Sequence, residues 1–232
     1  MTGRAPGPPA HLRLADEFFL VAHNHDADAI VPRLHGTGID LGLAGALLAE
    51  LVLDRRLQVT EGLLVVLDPT PTTDPLAASL LRDIVTEPPH SIRIWLDYVS
   101  QDARDKVGSR LHVAGHLAQV RTRKWWGGPA VRYRAVNAEM ALVPEVRLHD
   151  LLARPHALGI DRISQEHKLM QDATLAALAH ATGLLSALLW FHGPHRARSQ
   201  VDELRRALPA QLLDLANQTE AAVGDAVLGR RR

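Results

Sequence analysis

Several short stretches carry residue types that do chemistry. His23-Asn24-His25-Asp26-Ala27-Asp28 is rich in metal-ligand types, and in a strand His23 and His25 would share a face. A polar loop explains the same residues without a metal, which would also need a distant third ligand. His112 and His116 are four apart, the spacing of a two-His clamp on a helix, but Val113 stands where a zinc hydrolase would need its Glu. Arg121, Arg123, Lys124, Trp125, Trp126, Arg132, Tyr133 and Arg134 form the most basic and aromatic stretch. That mixture suits a lipid interface, an anionic ligand or single-stranded nucleic acid; equally, the aromatics enter the core and the cations stay in water. Leu188-Leu189-Trp190-Phe191 sets an apolar wedge beside His192, His195, Arg196 and Arg198, the make-up of an interfacial anchor or of a helix end tucked into the core.

Other chemistries lack their parts. No Ser lies in a Gly-x-Ser-x-Gly turn. Gly36, Gly38, Gly42 and Gly45 follow no strand and precede no Gly-Lys-Ser/Thr, so they fit close helix packing better than a phosphate loop. With no Cys there is no thiolate nucleophile, disulfide or Cys-ligated metal. Neither an enzymatic centre nor a cofactor is expected. The 26 basic and 26 acidic residues cancel, against the basic excess of a general nucleic-acid binder. Almost all the basic residues are Arg, and with the Ala and Leu content this reads as a GC-rich bacterial genome.

The elements that must position these residues are mostly helical. His11 to His23 has helical spacing with Asp16 and Glu17 near its start, where the helix dipole favours anions. His23 to Gly38 reads as a loop, and Ile39 to Leu53 as an apolar helix with a lone Glu50. Leu57 to Leu67 reads as a hairpin turning at Glu61-Gly62. Asp74-Pro75 starts a helix that Pro88-Pro89 stops. Ser91 to Ser100 and Asp102 to Gln119 read as helices, Arg121 to Val136 as a hairpin and Arg147 to Ala153 as a short segment. Ile163 to Phe191 reads as one long helix or two abutting ones with His180 inside it, followed by segments at Ser199–Leu208 and Pro209–Leu228. Ala173 to Phe191 has no charge, but its Ala, Thr, Ser and Gly content fits a buried central helix better than a membrane span. The expected architecture is mainly α: a disordered tail at 1–11, one helical domain over 12–228 with buried central helices and small β-hairpins, and a basic tail at 229–232.

The chain resembles the Golgi phosphoprotein 3-like proteins. Leu41-Gly42-Leu43-Ala44-Gly45 through Glu50-Leu51 to Arg56-Leu57-Gln58-Val59 is similar to the family's Gly-Leu-x-Gly…Glu-Leu…Arg-Leu signature. Leu14, Asp16, Glu17 and Leu20 match its acidic opening helix, and Asp68…Pro71-Thr72-Thr73-Asp74 its Pro-Thr-Gly-Asp segment. Pro88-Pro89 with Trp95, and Leu178-Ala179-His180-Ala181, follow in the same order, so the likeness spans about Leu12 to Leu215. It implies a non-enzymatic, peripheral membrane adaptor on the cytoplasmic side. Such proteins bind an anionic phospholipid, phosphatidylinositol 4-phosphate, and the cytosolic tails of membrane enzymes, and some self-associate. The family's headgroup pocket uses one Trp and three Arg. By ungapped matching these fall on His35, Ala44, His167 and Met170. Only His35 and His167 could meet a phosphate, with Arg33 and Lys168 beside them in sequence. The family's hydrophobic hairpin falls near Ser186 to Ala197, which makes Trp190, Phe191, Arg196 and Arg198 the expected membrane contact.

Overall fold

The computed structural model describes residues 12–25, 29–122, 130–153, 166–188 and 194–229. Among the described residues, ten helices and three two-stranded antiparallel hairpins make the fold mainly α. In chain order these are α1 (Leu14–Val21), β1 (His23–His25), β2 (Ile30–Pro32), α2 (Gly36–Leu53), β3 (Leu57–Thr60) and β4 (Leu63–Val66). Then come α3 (Pro75–Thr86), α4 (Ile92–Ser100), α5 (Ala103–Val113), β5 (Leu117–Thr122), β6 (Ala130–Ala135) and α6 (Ala138–Ala153). The chain closes with α7 (His167–Ala181), α8 (Leu184–Leu188), α9 (Pro194–Ala207) and α10 (Ala210–Gly229).

The centre is α2, which is apolar around its whole circumference because it packs on α1, α4, α5, α7 and α10 at once. Close approach depends on Gly42 and Gly45. A Cβ on Gly42 would lie 2.2 Å from the Phe18 ring, and one on Gly45 would lie 2.7 Å from the Thr219 hydroxyl. Among the described residues, α2 is the one helix long and apolar enough to cross a membrane, and 67% of that stretch is buried in the protein. The central helix α7 is likewise buried along most of its length.

Local signals set the helix starts. Asp74 caps α3 by accepting from the Ala77 N–H at 2.7 Å with Pro75 in the first turn, and Ser91 caps α4. Glu61-Gly62 joins β3 and β4 as the expected hairpin, with Thr60 opposite Leu63 and Leu57 opposite Val66.

The structure corrects three sequence expectations. Residues 23–38 are not all loop: His23–His25 pairs with Ile30–Pro32, and α2 begins at Gly36 rather than Ile39. The helix expected over Asp102–Gln119 stops at Val113, where Gly115 takes φ +81° and β5 follows. Of the two readings of Ile163–Phe191, one long helix or two abutting ones, the described residues show the second, with α7 and α8 parted at Gly183, φ +76°. Finally, α6 extends the short Arg147–Ala153 segment back to Ala138, because the Asn137 side chain accepts from the Met140 N–H at 3.1 Å and the helix continues through Pro144.

Candidate functional site

Residue His35 lies at the mouth of α2, exposed, with extended backbone. Its Nδ1 accepts from the Thr37 N–H at 3.3 Å, so the imidazole caps the helix. The first turn of α2 carries no acidic side chain, leaving the positive end of an 18-residue helix uncompensated there. From α5, the Arg104 guanidinium donates to the Gly36 carbonyl at 2.6 Å and pairs with Asp40 at 2.9 Å. Beside His35 is a recess of about 150 Å³, floored by Leu34, Gly38, Thr182 and Val223.

Further basic groups stand near this helix end. On β1, buried His23 donates from Nδ1 to the Phe19 carbonyl at 2.7 Å. Burial pulls its pKa down to about 4 against the effect of that hydrogen bond, and the positive charges of Arg104 and Arg33 lower it further. The neutral imidazole must therefore be the donor. Arg33 makes a two-pronged pair with Glu145 at 2.8 and 3.1 Å. The sequence reading missed Arg104 as a member of this site. No local pattern marks it; only the packing of α5 on α2 brings it to Gly36.

The structure does not bring His167 to this place. His167 opens α7 and lines a separate cleft of about 630 Å³ with Leu12, Arg13, Met140, Val143 and Arg147. Cations there are already committed. Buried Glu17 accepts from Lys168 and from Arg147, each at 2.7 Å, and from Gln171 at 2.9 Å. Asp172 takes the same two cations at 2.8 and 3.4 Å. Alongside, Glu50 accepts from Arg13 at 2.8 Å and from Arg110 at 3.0 Å, and Arg110 also meets Asp16 and Asp74. Arg147 and Lys168 are thus held by Glu17 and Asp172, and Arg13 by Glu50 and Asp54. His35 lines a different recess that shares none of these residues, so the expectation that His35 and His167 share one headgroup pocket fails on geometry.

The other aligned positions are a buried and a partly buried apolar residue. Ala44 is fully buried in α2, and Met170 packs against the core. Trp190 and Phe191 fall outside the described residues, as do Trp125 and Trp126. Arg196 and Arg198 fall in the backbone of α9, with their side chains outside the description. The metal-ligand candidates are occupied by backbone: His25 Nε2 is 2.8 Å from the Leu20 carbonyl and His112 Nδ1 is 2.8 Å from the Leu117 carbonyl. His116, the partner expected for His112, lines the cleft beside His167 instead.

No curated protein matches the chain significantly. The family model for Golgi phosphoprotein 3 (GPP34) matches residues 14–227, from the first residue of α1 nearly to the end of α10. That span takes in every helix and hairpin of the fold, and the chain belongs to the Golgi phosphoprotein 3 family.

Proposed function

We propose that the protein is a peripheral membrane adaptor, without enzymatic activity, that takes an anionic phospholipid headgroup at the start of α2. One observation carries this reading: Arg104 meets the first turn of α2 at Gly36, next to exposed His35, at a helix end with no acid of its own in that turn. Backbone N–H groups, a helix dipole and a fixed guanidinium are the ordinary parts of a phosphate site. A phosphatidylinositol 4-phosphate-like headgroup fits the family, and a cytoplasmic, membrane-associated location follows from it.

Asp40 competes for Arg104, so the headgroup contact is weak by itself. Stable anchoring then requires a second contact, through Trp190 and Phe191 with Arg196 and Arg198, or through self-association. Cytosolic tails of membrane enzymes are the protein partners of this reading, and nucleic acid is not among them. The alternative, a soluble interaction module without lipid binding, is favoured by one feature: α6 leaves Met140, Leu142, Val143 and Val146 exposed.

Co-sedimentation with vesicles at physiological salt separates the two. The adaptor reading expects binding to vesicles containing phosphatidylinositol 4-phosphate, reduced in a His35→Ala/Arg104→Ala variant. Binding to no vesicle, neutral or anionic, would overturn it and leave the α6 face as the functional surface.

A further inference from the structure

The last turn of α10 lies beside the start of α2. The recess next to His35, about 150 Å³, takes one wall from Leu34, Thr37 and Gly38 and the facing wall from Val223, Ala226 and Val227 of α10. A space of that size is only a few ångströms across, so α10 ends next to the place assigned to the headgroup. Among the described residues, none that lines it is acidic.

Three observations set this helix end apart from ordinary surface. First, Val227 and Leu228 are 51% and 62% exposed, although Val223 and Ala226 beside them pack against the core. Single exposed apolar residues are common. Here Val227 lines an apolar recess and Leu228 follows it, so apolar surface runs from the recess to the tip of the helix. Second, the sequence continues from Gly229 as Arg230-Arg231-Arg232. Three residues reach at most about 11 Å, so these charges stay on the order of one Debye length from the helix tip at physiological salt. Third, no carboxylate of this turn opposes them from the recess. Asp225 is the only acid after Glu220; it does not line the recess, and Arg93 of α4 holds it at 2.7 Å.

We infer that the end of α10 is a membrane contact in its own right, besides the segment holding Trp190 and Phe191. Val227 and Leu228 enter the interfacial layer of an anionic bilayer, and Arg230, Arg231 and Arg232 stay among its headgroups. Apolar side chains at the acyl boundary with cations at headgroup level hold a peripheral element on anionic lipid, and neither part suffices alone. The inference rests on the reading of the α2 start as a headgroup site and adds a division of labour to it. The α2 end selects the lipid, and the α10 end supplies affinity for any anionic surface.

Because the chain has no Cys, a single one can be introduced and labelled uniquely. An environment-sensitive fluorophore on Leu228→Cys should shift to the blue with phosphatidylcholine vesicles containing phosphatidylserine, and not with phosphatidylcholine alone. The same label on Val113→Cys, an exposed position at the far end of α5 from Arg104, should not respond. In co-sedimentation of the full chain, Val227→Ser/Leu228→Ser should fold normally, since both positions are exposed, and should weaken binding to every anionic vesicle by about tenfold. Gln in place of Arg230, Arg231 and Arg232 should cost about fivefold for each charge removed. Both losses fall on phosphatidylserine and phosphatidylinositol 4-phosphate vesicles alike. His35→Ala/Arg104→Ala should instead remove the preference for phosphatidylinositol 4-phosphate, so the two readings fail separately. A Leu228 label that stays unmoved on vesicles that carry the protein down would overturn the inference, as would unchanged binding by Val227→Ser/Leu228→Ser. So would loss of a dimer in that variant with vesicle binding intact, which would make the α10 end a contact with a second copy. Binding to no vesicle would overturn it together with the headgroup reading.

Discussion

The Glu50 carboxylate receives the Arg110 guanidinium at 3.0 Å on one oxygen and 3.2 Å on the other. The first of those oxygens also accepts the Ala15 N–H at 2.8 Å, and the second accepts from Arg13 at 2.8 Å. One side chain of α2 therefore ties down the start of α1 and the end of α5. Burial works against the charge of Arg110, but Glu50 and then Asp16 overcome it and hold its pKa above the usual arginine value.

Removing either member takes one charge out of this buried network and leaves the remaining charges unbalanced. Arg110→Ala exposes Asp16, Glu50 and Asp74 to one another and should cost about 3–5 kcal/mol. The double variant Arg110→Met/Glu50→Gln should cost less than the sum of its parts, because it deletes charge of both signs together. Urea unfolding of the four proteins of this cycle provides the check. Additive losses would mean that Arg110 and Glu50 are not coupled.

Two buried groups titrate with opposite effects on stability. Burial raises the Asp16 pKa to about 6, against the lowering by Arg110, and Glu50 raises it further. The folded chain then binds the Asp16 proton more tightly than the unfolded chain, and this group lowers stability as pH rises from about 4 to about 6. His23 does the reverse. Its folded pKa of about 4 lies below the unfolded value, so its contribution is complete at neutral pH and is lost as pH falls from about 6.5 to about 4. The two slopes oppose each other, so the wild-type chain should show a shallow pH profile in this window. In Asp16→Asn, acidification from neutral pH should lower stability by up to about 3 kcal/mol through His23; in His23→Asn it should raise it. Denaturant midpoints from pH 4 to 7 decide the matter, and parallel profiles in both variants would sink this assignment.

How much of this was legible in the sequence depends on the range of the interaction that decides it. Asp74-Pro75, Ser91 and Glu61-Gly62 act within a few residues, and each ends or starts its element where the sequence reading put it. Gly115 is equally local, but the helix expected over Asp102–Gln119 runs past it, because the helical pattern continues across it into β5. The site was legible by halves. His35 comes only from matching to the family, since its segment reads as loop; the structure makes it the N-cap of α2. Arg104 is 68 residues from Gly36 and carries no local mark, so only tertiary packing reveals it. Placing His167 beside His35 failed for the same reason: linear matching cannot show that Glu17 and Asp172 have already engaged Lys168 and Arg147.

The glycines of α2 differ in what surrounds them, and alanine should separate them. At Gly42 a Cβ would run into the Phe18 ring at 2.2 Å and Thr182 at 2.8 Å, both buried side chains with no room to withdraw. Gly42→Ala should therefore destabilise by about 1–3 kcal/mol through overpacking. At Gly38 the nearest atom is the Thr182 carbonyl at 3.8 Å, an ordinary contact. Gly38→Ala should stabilise by up to about 1 kcal/mol, because alanine gives up less backbone freedom in a helix. Thermal unfolding of the two variants should move in opposite directions.

Arg104 makes a sharper test of the α2 site than His35, since lysine keeps its charge but not its fork. In the folded chain the guanidinium bridges the Gly36 carbonyl and Asp40. Arg104→Lys retains a point charge that can reach only part of that geometry. If Arg104 contributes mainly charge to an anionic headgroup, Arg104→Lys should bind anionic vesicles nearly as well as wild type, and both should weaken in parallel as salt rises. If it orients the headgroup, Arg104→Lys should lose selectivity for phosphatidylinositol 4-phosphate while keeping general anionic binding. Asp40→Asn, which frees the guanidinium from its acidic competitor, should strengthen binding severalfold in either case. Vesicle binding unchanged in both Arg104→Lys and Asp40→Asn would remove Arg104 from the headgroup site and shift the membrane contact to the segment holding Trp190 and Phe191.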